Sequence, residues 1–155
     1  MNFTFTVSPQ EVPPPSGFDM GDVRVEGSHT TASSTDGGPR HLMMIHLSVA
    51  QLLDRLSRLA SRADRECEFM GVDGSFVLHF SRRGDGTLVT RRKRQVIDES
   101  AAWEVLRAAV TEAQRFADVW LPQLPVDDAG AEDLALSLSE AKRLLVSQQS
   151  ACGGR

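Results

Sequence analysis

The sequence predicts an α+β domain, with a largely antiparallel sheet of about five or six strands and two or three helices packed on one face. Three observations carry that expectation. Several short runs alternate apolar and polar residues with period two, the pattern of half-buried strands. Two longer stretches repeat apolar residues at the three-and-four spacing of a one-sided helix. The resulting order is strand, strand, strand, helix, a strand meander, helix and a mixed tail, within 155 residues that fit one domain.

"FTFTV" (Phe3 to Val7) alternates with threonine and reads as the first strand, and "PQEVPPPSG" stops it because proline lacks the ladder donor and fixes its own φ. "FDMGDVRVEG" alternates again through Val23 and Val25. "SHTTASSTDGGPR" is small, polar and glycine-rich, so residues 26–40 are expected to form a long mobile loop. "HLMMIHLS" reads as a third strand, with Ser48 the N-cap of the helix that follows. In that helix Val49, Leu52, Leu53, Leu56, Leu59, Ala60 and Ala63 share one face, opposite Asp54, Arg55, Arg58 and Arg62.

"ECEFMGVDGSFVLHFS" divides into two strands at Asp73-Gly74, a dipeptide suited to the φ > 0 positions of a tight turn, and Phe76, Leu78 and Phe80 fall on one face. "RRGDG" turns the chain and "TLVTRRKRQVI" returns as one strand. A second helix follows Asp98 or Ser100, with Trp103, Leu106, Val110, Ala113, Ala117 and Trp120 in helical period, and "LPQLP" ends it. Residues 133–138, within "LALSLS", fit a strand by alternation, yet Leu134, Leu138, Ala141 and Leu145 fit a helix. Ser137 with Glu140 makes a capping box, which favours a short strand running into a helix from about Ser139. The domain is expected to span residues 1–149, leaving 150–155 as a flexible tail.

Composition narrows function chiefly by exclusion. The opening "MNFTFTVSPQ" has no basic segment followed by a long apolar run, so no secretory leader and a cytosolic location are expected. No stretch is apolar enough for a membrane span. Cys67 and Cys152 read as two reduced thiols. Arginine outnumbers lysine 15 to 2 and tyrosine is missing, a bias that suits a GC-rich bacterial genome. The formal net charge of −4 argues against general affinity for nucleic acid, but the charge is unevenly spread. Residues 82–94 hold six basic side chains and one acidic, whereas residues 98–140 hold ten acidic and two basic.

On "TLVTRRKRQVI" basic residues fall on both faces, because side chains alternate across a strand. Burying unpaired charge is costly, so this strand must project beyond the sheet or form its edge. "RGD" at Arg83 to Asp85 has no structural content beyond a polar turn. His41 and His46 would point to opposite faces of a strand and His79 away from the phenylalanines, and no C-x-x-C or H-E-x-x-H spacing occurs, so no metal site is expected. Cys67 between Glu66 and Glu68 lies in a negative field that raises its pKa, the wrong direction for a nucleophile. "GVDG", "RGDG" and "DGGP" lack the strand–loop–helix context of a phosphate loop. Glu66, Glu68 and Asp73 read as an exposed rim rather than a general-acid pair, and Trp103 and Trp120 as core unless exposed. No catalytic residue and no cofactor is therefore expected.

"FTFTV", "MMIHLSVAQLLDRLSRLA", "ECEFMGVDGSFVLHF" and "LALSLSEAKRLL" together resemble, in organisation, small actinobacterial proteins of the toxin-immunity type. That resemblance implies a non-enzymatic cytosolic protein that neutralises a cognate toxin by direct binding. The segregated charge suits such a role, since opposed charged patches speed encounter and set partner choice. An acidic face of Glu99, Glu104, Glu112, Asp118, Asp127, Asp128, Glu132 and Asp133 could cover a basic toxin cleft. The alternative is a regulatory or scaffold protein that binds nucleic acid through Arg82, Arg83, Arg91, Arg92, Lys93 and Arg94. Oligomeric state is left open.

Overall fold

The computed structural model describes residues 1–152. Two antiparallel sheets of four strands each and three helices enclose one apolar core, so the strands expected in a single sheet are divided between two. In the first sheet β1 (Asn2–Val7) pairs with β2 (Met20–Glu26) in the register that sets Phe3 against Val25 and Phe5 against Val23. The period-two alternation buries Phe3, Phe5, Val7, Val23 and Val25 and leaves Thr4, Thr6 and Arg24 outside. The other edge of β2 is shared by two short strands, β3 (Thr31–Ser33) and β4 (Met43–Met44).

Residues 26–40 are thus not an unstructured loop. Ser33 caps a 3-10 turn over Ser34–Gly37, and its own backbone N–H donates in return to the Asp36 carboxylate. The Asp22 carboxylate accepts from the hydroxyls of both Ser33 (2.8 Å) and Ser34. Short polar side chains that look disordered by composition here satisfy the local backbone instead.

The second sheet is the meander β5 (Glu66–Met70), β6 (Val77–Arg82), β7 (Thr87–Arg92) and β8 (Gln95–Ala101). Phe76, Leu78 and Phe80 are buried together, as their alternation predicts. The expected single strand Thr87 to Ile97 is in fact a hairpin, turned by Lys93 and Arg94 with Arg92 opposite Gln95. A turn there relieves the charge problem, because the basic run sits at a loop tip rather than along a packed ladder. The turn at residues 27–30 docks on β8: His29 N–H donates to Ile97 O (3.0 Å) and Ser28 N–H to the buried Asp98 carboxylate (2.9 Å). Asp98 therefore joins the two sheets and does not begin a helix.

α1 (Ile45–Ala60) starts earlier than expected, directly after the two residues of β4. Ser48 lies inside its first turns, donating to Met44 O (2.7 Å) and accepting from Val72 N (2.9 Å), so it is not the N-cap. Val49, Leu52, Leu53, Leu56, Leu59 and Ala60 are buried as expected, while Ala63 lies beyond the helix and is exposed. α2 (Ala102–Trp120) buries Leu106, Val110, Ala113 and Ala117, and leaves Trp103 and Trp120 half-buried against the core.

α3 runs without a break from Ala129 to Cys152, so residues 133–138 are helix and not strand. Ser137 is a buried mid-helix residue, and the expected capping box is absent. Leu134, Leu138, Ala141 and Leu145 form the buried stripe that the helical reading of this segment requires. The true start is set by Asp128, whose carboxylate accepts from Ala131 N (2.9 Å) and from Gly17 N (2.9 Å). Gly17 and Gly130 cross so closely there that a Cβ on Gly130 would lie 2.4 Å from Gly17 O. Residues 150–152 complete α3, and residues 153–155 of the expected tail lie outside the described residues. Among the described residues no helix is long and apolar enough to cross a membrane.

Candidate functional site

The structure divides the eight predicted acidic residues by what each carboxylate does. Asp128 holds the start of α3. Burial works against its charge, but the backbone N–H groups of Gly17, Ala131 and Gly130 outweigh burial and keep its pKa below the ordinary value. Glu112 accepts from Phe5 N (3.0 Å) and from the Arg115 guanidinium (2.5 Å), tying α2 to β1. Its pKa is lowered likewise: burial opposes the shift, and Arg115 with the Phe5 N–H overcomes it. Glu99 faces Arg83 at 2.5 Å and His29 at 3.8 Å, so a member of the acidic set is paired with a member of the basic one. Glu104 is exposed in the first turn of α2, and Asp118 near the far end of that helix accepts from Gln114 Nε2 (2.6 Å).

Asp127, Glu132 and Asp133 remain, clustered at the N-terminal end of α3 and exposed. Two residues outside the predicted set extend them along the seam between α1 and α3. Asp54 of α1 is hydrogen-bonded to Ser137 of α3 and lies within the fields of Asp133 and Glu140. Partial desolvation is the largest influence on Asp54 and raises its pKa; Ser137 opposes the shift, Glu140 and Asp133 add to it, and Arg55 counters weakly. Among the described residues none of Asp54, Asp127, Glu132, Asp133 and Glu140 is in an ion pair. Asp54, Asp133 and Glu140 thus form an acidic ridge along the seam between α1 and α3, with Arg55 a weak counter-charge to Asp54. The sequence places Asp54 on an outward helix face; that this face abuts α3 follows only from the packing of the two helices.

The basic hairpin divides in the same way. Arg83 is paired with Glu99. Arg92 reaches the 3-10 turn, donating to Asp36 (2.5 Å) and Ser33 O (3.1 Å), and its guanidinium stacks 4.8 Å from the Phe76 ring centre. Arg82 is half-buried. Arg91, Lys93 and Arg94 are exposed and, among the described residues, form no ion pair. Lys93, Arg94 and Arg92 line a shallow cleft of about 450 Å³ with Asp36, Gly37 and Gln95.

Burial, more than the neighbouring Asp64, pushes the Cys67 thiol up to about 11 against the pull of Arg55; Glu66 and Glu68, expected to set that field, are not its cause. His79 pairs across the strands with Glu68 (3.3 Å), and His41 bonds Ser75 Oγ. His46 lies in α1, fully buried against Phe116 with ring centres 5.1 Å apart, and neither ring nitrogen has a hydrogen-bond partner. Burial lowers its pKa, opposed by the charges of Asp19 and Asp128. Among the described residues no group of three or more His, Cys, Asp or Glu side chains is arranged to hold a metal ion.

A groove of about 760 Å³ runs between α2 and α3, with Ala117, Leu121, Ala135, Leu138 and Val146 on its walls. It lies on the α2 flank of α3, and the acidic ridge lies on the α1 flank. Compared with protein-family models, curated proteins and solved structures, the chain matches none of them.

Proposed function

We propose that this chain is a non-enzymatic binding protein that neutralises a cognate bacterial toxin in the cytoplasm, and that the acidic ridge of α3 is its docking face. The observation that carries the reading is the crowding of Asp54, Asp133 and Glu140 on one seam, none of them in an ion pair among the described residues. Like charges held together cost stability in the free protein, and a basic partner removes that cost on binding. Asp127 and Glu132 add exposed negative charge at the N-terminal end of α3. A polyanionic ridge of this kind suits the substrate cleft of a nuclease, which is built to accept phosphates.

Co-expression with the product of the neighbouring open reading frame tests the proposal. The two proteins should co-purify, and the chain should restore growth that the neighbour suppresses. Absence of both binding and rescue would end it.

A second reading is favoured by one observation: Arg91, Lys93 and Arg94 stay exposed and unpaired at the β7–β8 tip. If those three contact phosphates, the affinity for single- or double-stranded nucleic acid should fall with added salt with a log–log slope of about −2 to −3. A flat salt response, or no binding at low salt, rejects that reading.

A further inference from the structure

The groove between α2 and α3 takes no part in the proposed docking face, yet its walls are built to pair. Its α2 wall carries Asp118 and its α3 wall carries Lys142 and Arg143. Gln114 stands between them, donating to Asp118 (2.6 Å) and accepting from Lys142 Nζ (2.7 Å). That neutral bridge fixes an acid and a base on opposite sides of an apolar floor without neutralising either. The floor is open because Ala117 and Ala135 are small, and Val146 stands 62% exposed on the rim.

A surface bearing an apolar groove with opposite charges on its two walls is self-complementary in charge. A two-fold interface demands this, since each residue that contacts another must be contacted by it in return. We infer that the groove is the interface of a homodimer, in which α2 and α3 of two copies pack as an antiparallel four-helix bundle. With the two-fold axis passing between Glu140 and Ala141, Ala135 of one copy faces Val146 of the second, and Ser139 faces Lys142 of the second. Small residues thus oppose large ones at these two pairs. The same operation carries Lys142 and Arg143 toward the Asp118 wall of the other copy. A dimer built this way leaves both acidic ridges open, one on each outer flank.

Sedimentation velocity of the full chain from about 1 µM to about 100 µM tests the inference, because mass action makes a dimer concentration-dependent. The wild-type chain should shift from monomer toward dimer over that range. Val146→Glu changes an exposed side chain and should weaken dimerisation at least about 10-fold while leaving the unfolding midpoint in place. Asp118→Lys should weaken it as well, and adding Lys142→Glu and Arg143→Glu in the same chain should recover it. A wild-type chain that stays monomeric throughout overturns the inference. So does a dimer indifferent to both Val146→Glu and Asp118→Lys, which would use another surface. A monomer whose binding to the neighbouring gene product is lost in Val146→Glu assigns the groove to that partner instead, and equally overturns it.

Discussion

His46 shows how one buried side chain makes the whole fold sensitive to acid. It sits beside Phe116 of α2, and the charges of Asp19 in the β1–β2 connection and Asp128 at the start of α3 oppose the effect of its burial. Because burial depresses its pKa, the folded protein binds fewer protons at this ring than the unfolded chain does. The associated stability is therefore complete above the unfolded value of about 6.5 and is lost as pH falls below it. Urea unfolding should show stability decreasing from about pH 6.5 downward, by at most about 1.4 kcal/mol per pH unit from this group. His46→Leu should flatten that slope; identical slopes in the two proteins would refute the assignment. Asp54 titrates in the opposite sense. Its folded pKa is raised, so its charge is a liability at neutral pH, and Asp54→Asn should raise the thermal midpoint there while weakening partner binding. Asp128 is a structural acid, and Asp128→Ala should cost about 1–3 kcal/mol in chemical denaturation by freeing the Ala131 and Gly17 amides. The sequence shows that each of these residues is acidic or titratable, but not which carboxylates cap helices and which face solvent, because partners such as Gly17 and Asp128 lie 111 positions apart.

At the scale of elements, legibility followed local chemistry. Strands with clean alternation (β1, β2 and β6) and helices with a broad apolar stripe (α1 and α2) are placed by periodicity alone. α3 defeats that method over "LALSLS", because alternating leucine and serine also satisfies a helix that packs on α1 with one face and leaves Leu136 exposed on another. Packing against α1 and α2 decides the matter, which no local window contains. The β7–β8 turn was illegible for a different reason: it uses Lys93-Arg94 where a tight hairpin ordinarily recruits glycine or asparagine. Lys93 adopts φ 53°, a left-handed conformation that a side chain resists. Lys93→Gly should accordingly leave stability unchanged or raise it by up to about 1 kcal/mol, and Lys93→Val should lower it, as read from urea midpoints. The tip is held at its base by Arg92, which bonds Asp36 and Ser33 O, so Arg92→Ala should lower the same midpoint where Arg94→Ala does not.

The molecule as a whole partitions its charge less simply than the chain suggests. Glu99 is drawn to Arg83, Glu112 and Asp128 are occupied with structure, and Asp118 belongs to the groove between α2 and α3. What survives is a narrower acidic ridge on α1 and α3 and a basic tip of three residues on the second sheet, carried by different elements. The α+β class and most of the core are readable from the sequence, whereas the third helix is not fixed by it. The division into two sheets is not, because the turn at residues 27–30 docks on β8 some 70 positions further along the chain. The acidic ridge is tested most directly by stopped-flow association of the neighbouring gene product with the wild-type chain and with Glu132→Lys/Asp133→Lys/Glu140→Lys, whose three sites are solvent-exposed. The ridge as docking face predicts fast, salt-sensitive association for the wild type, and a rate about 100-fold lower or less in the reversed variant at low salt. Equal association rates for the two chains, with the variant still folded, would contradict it.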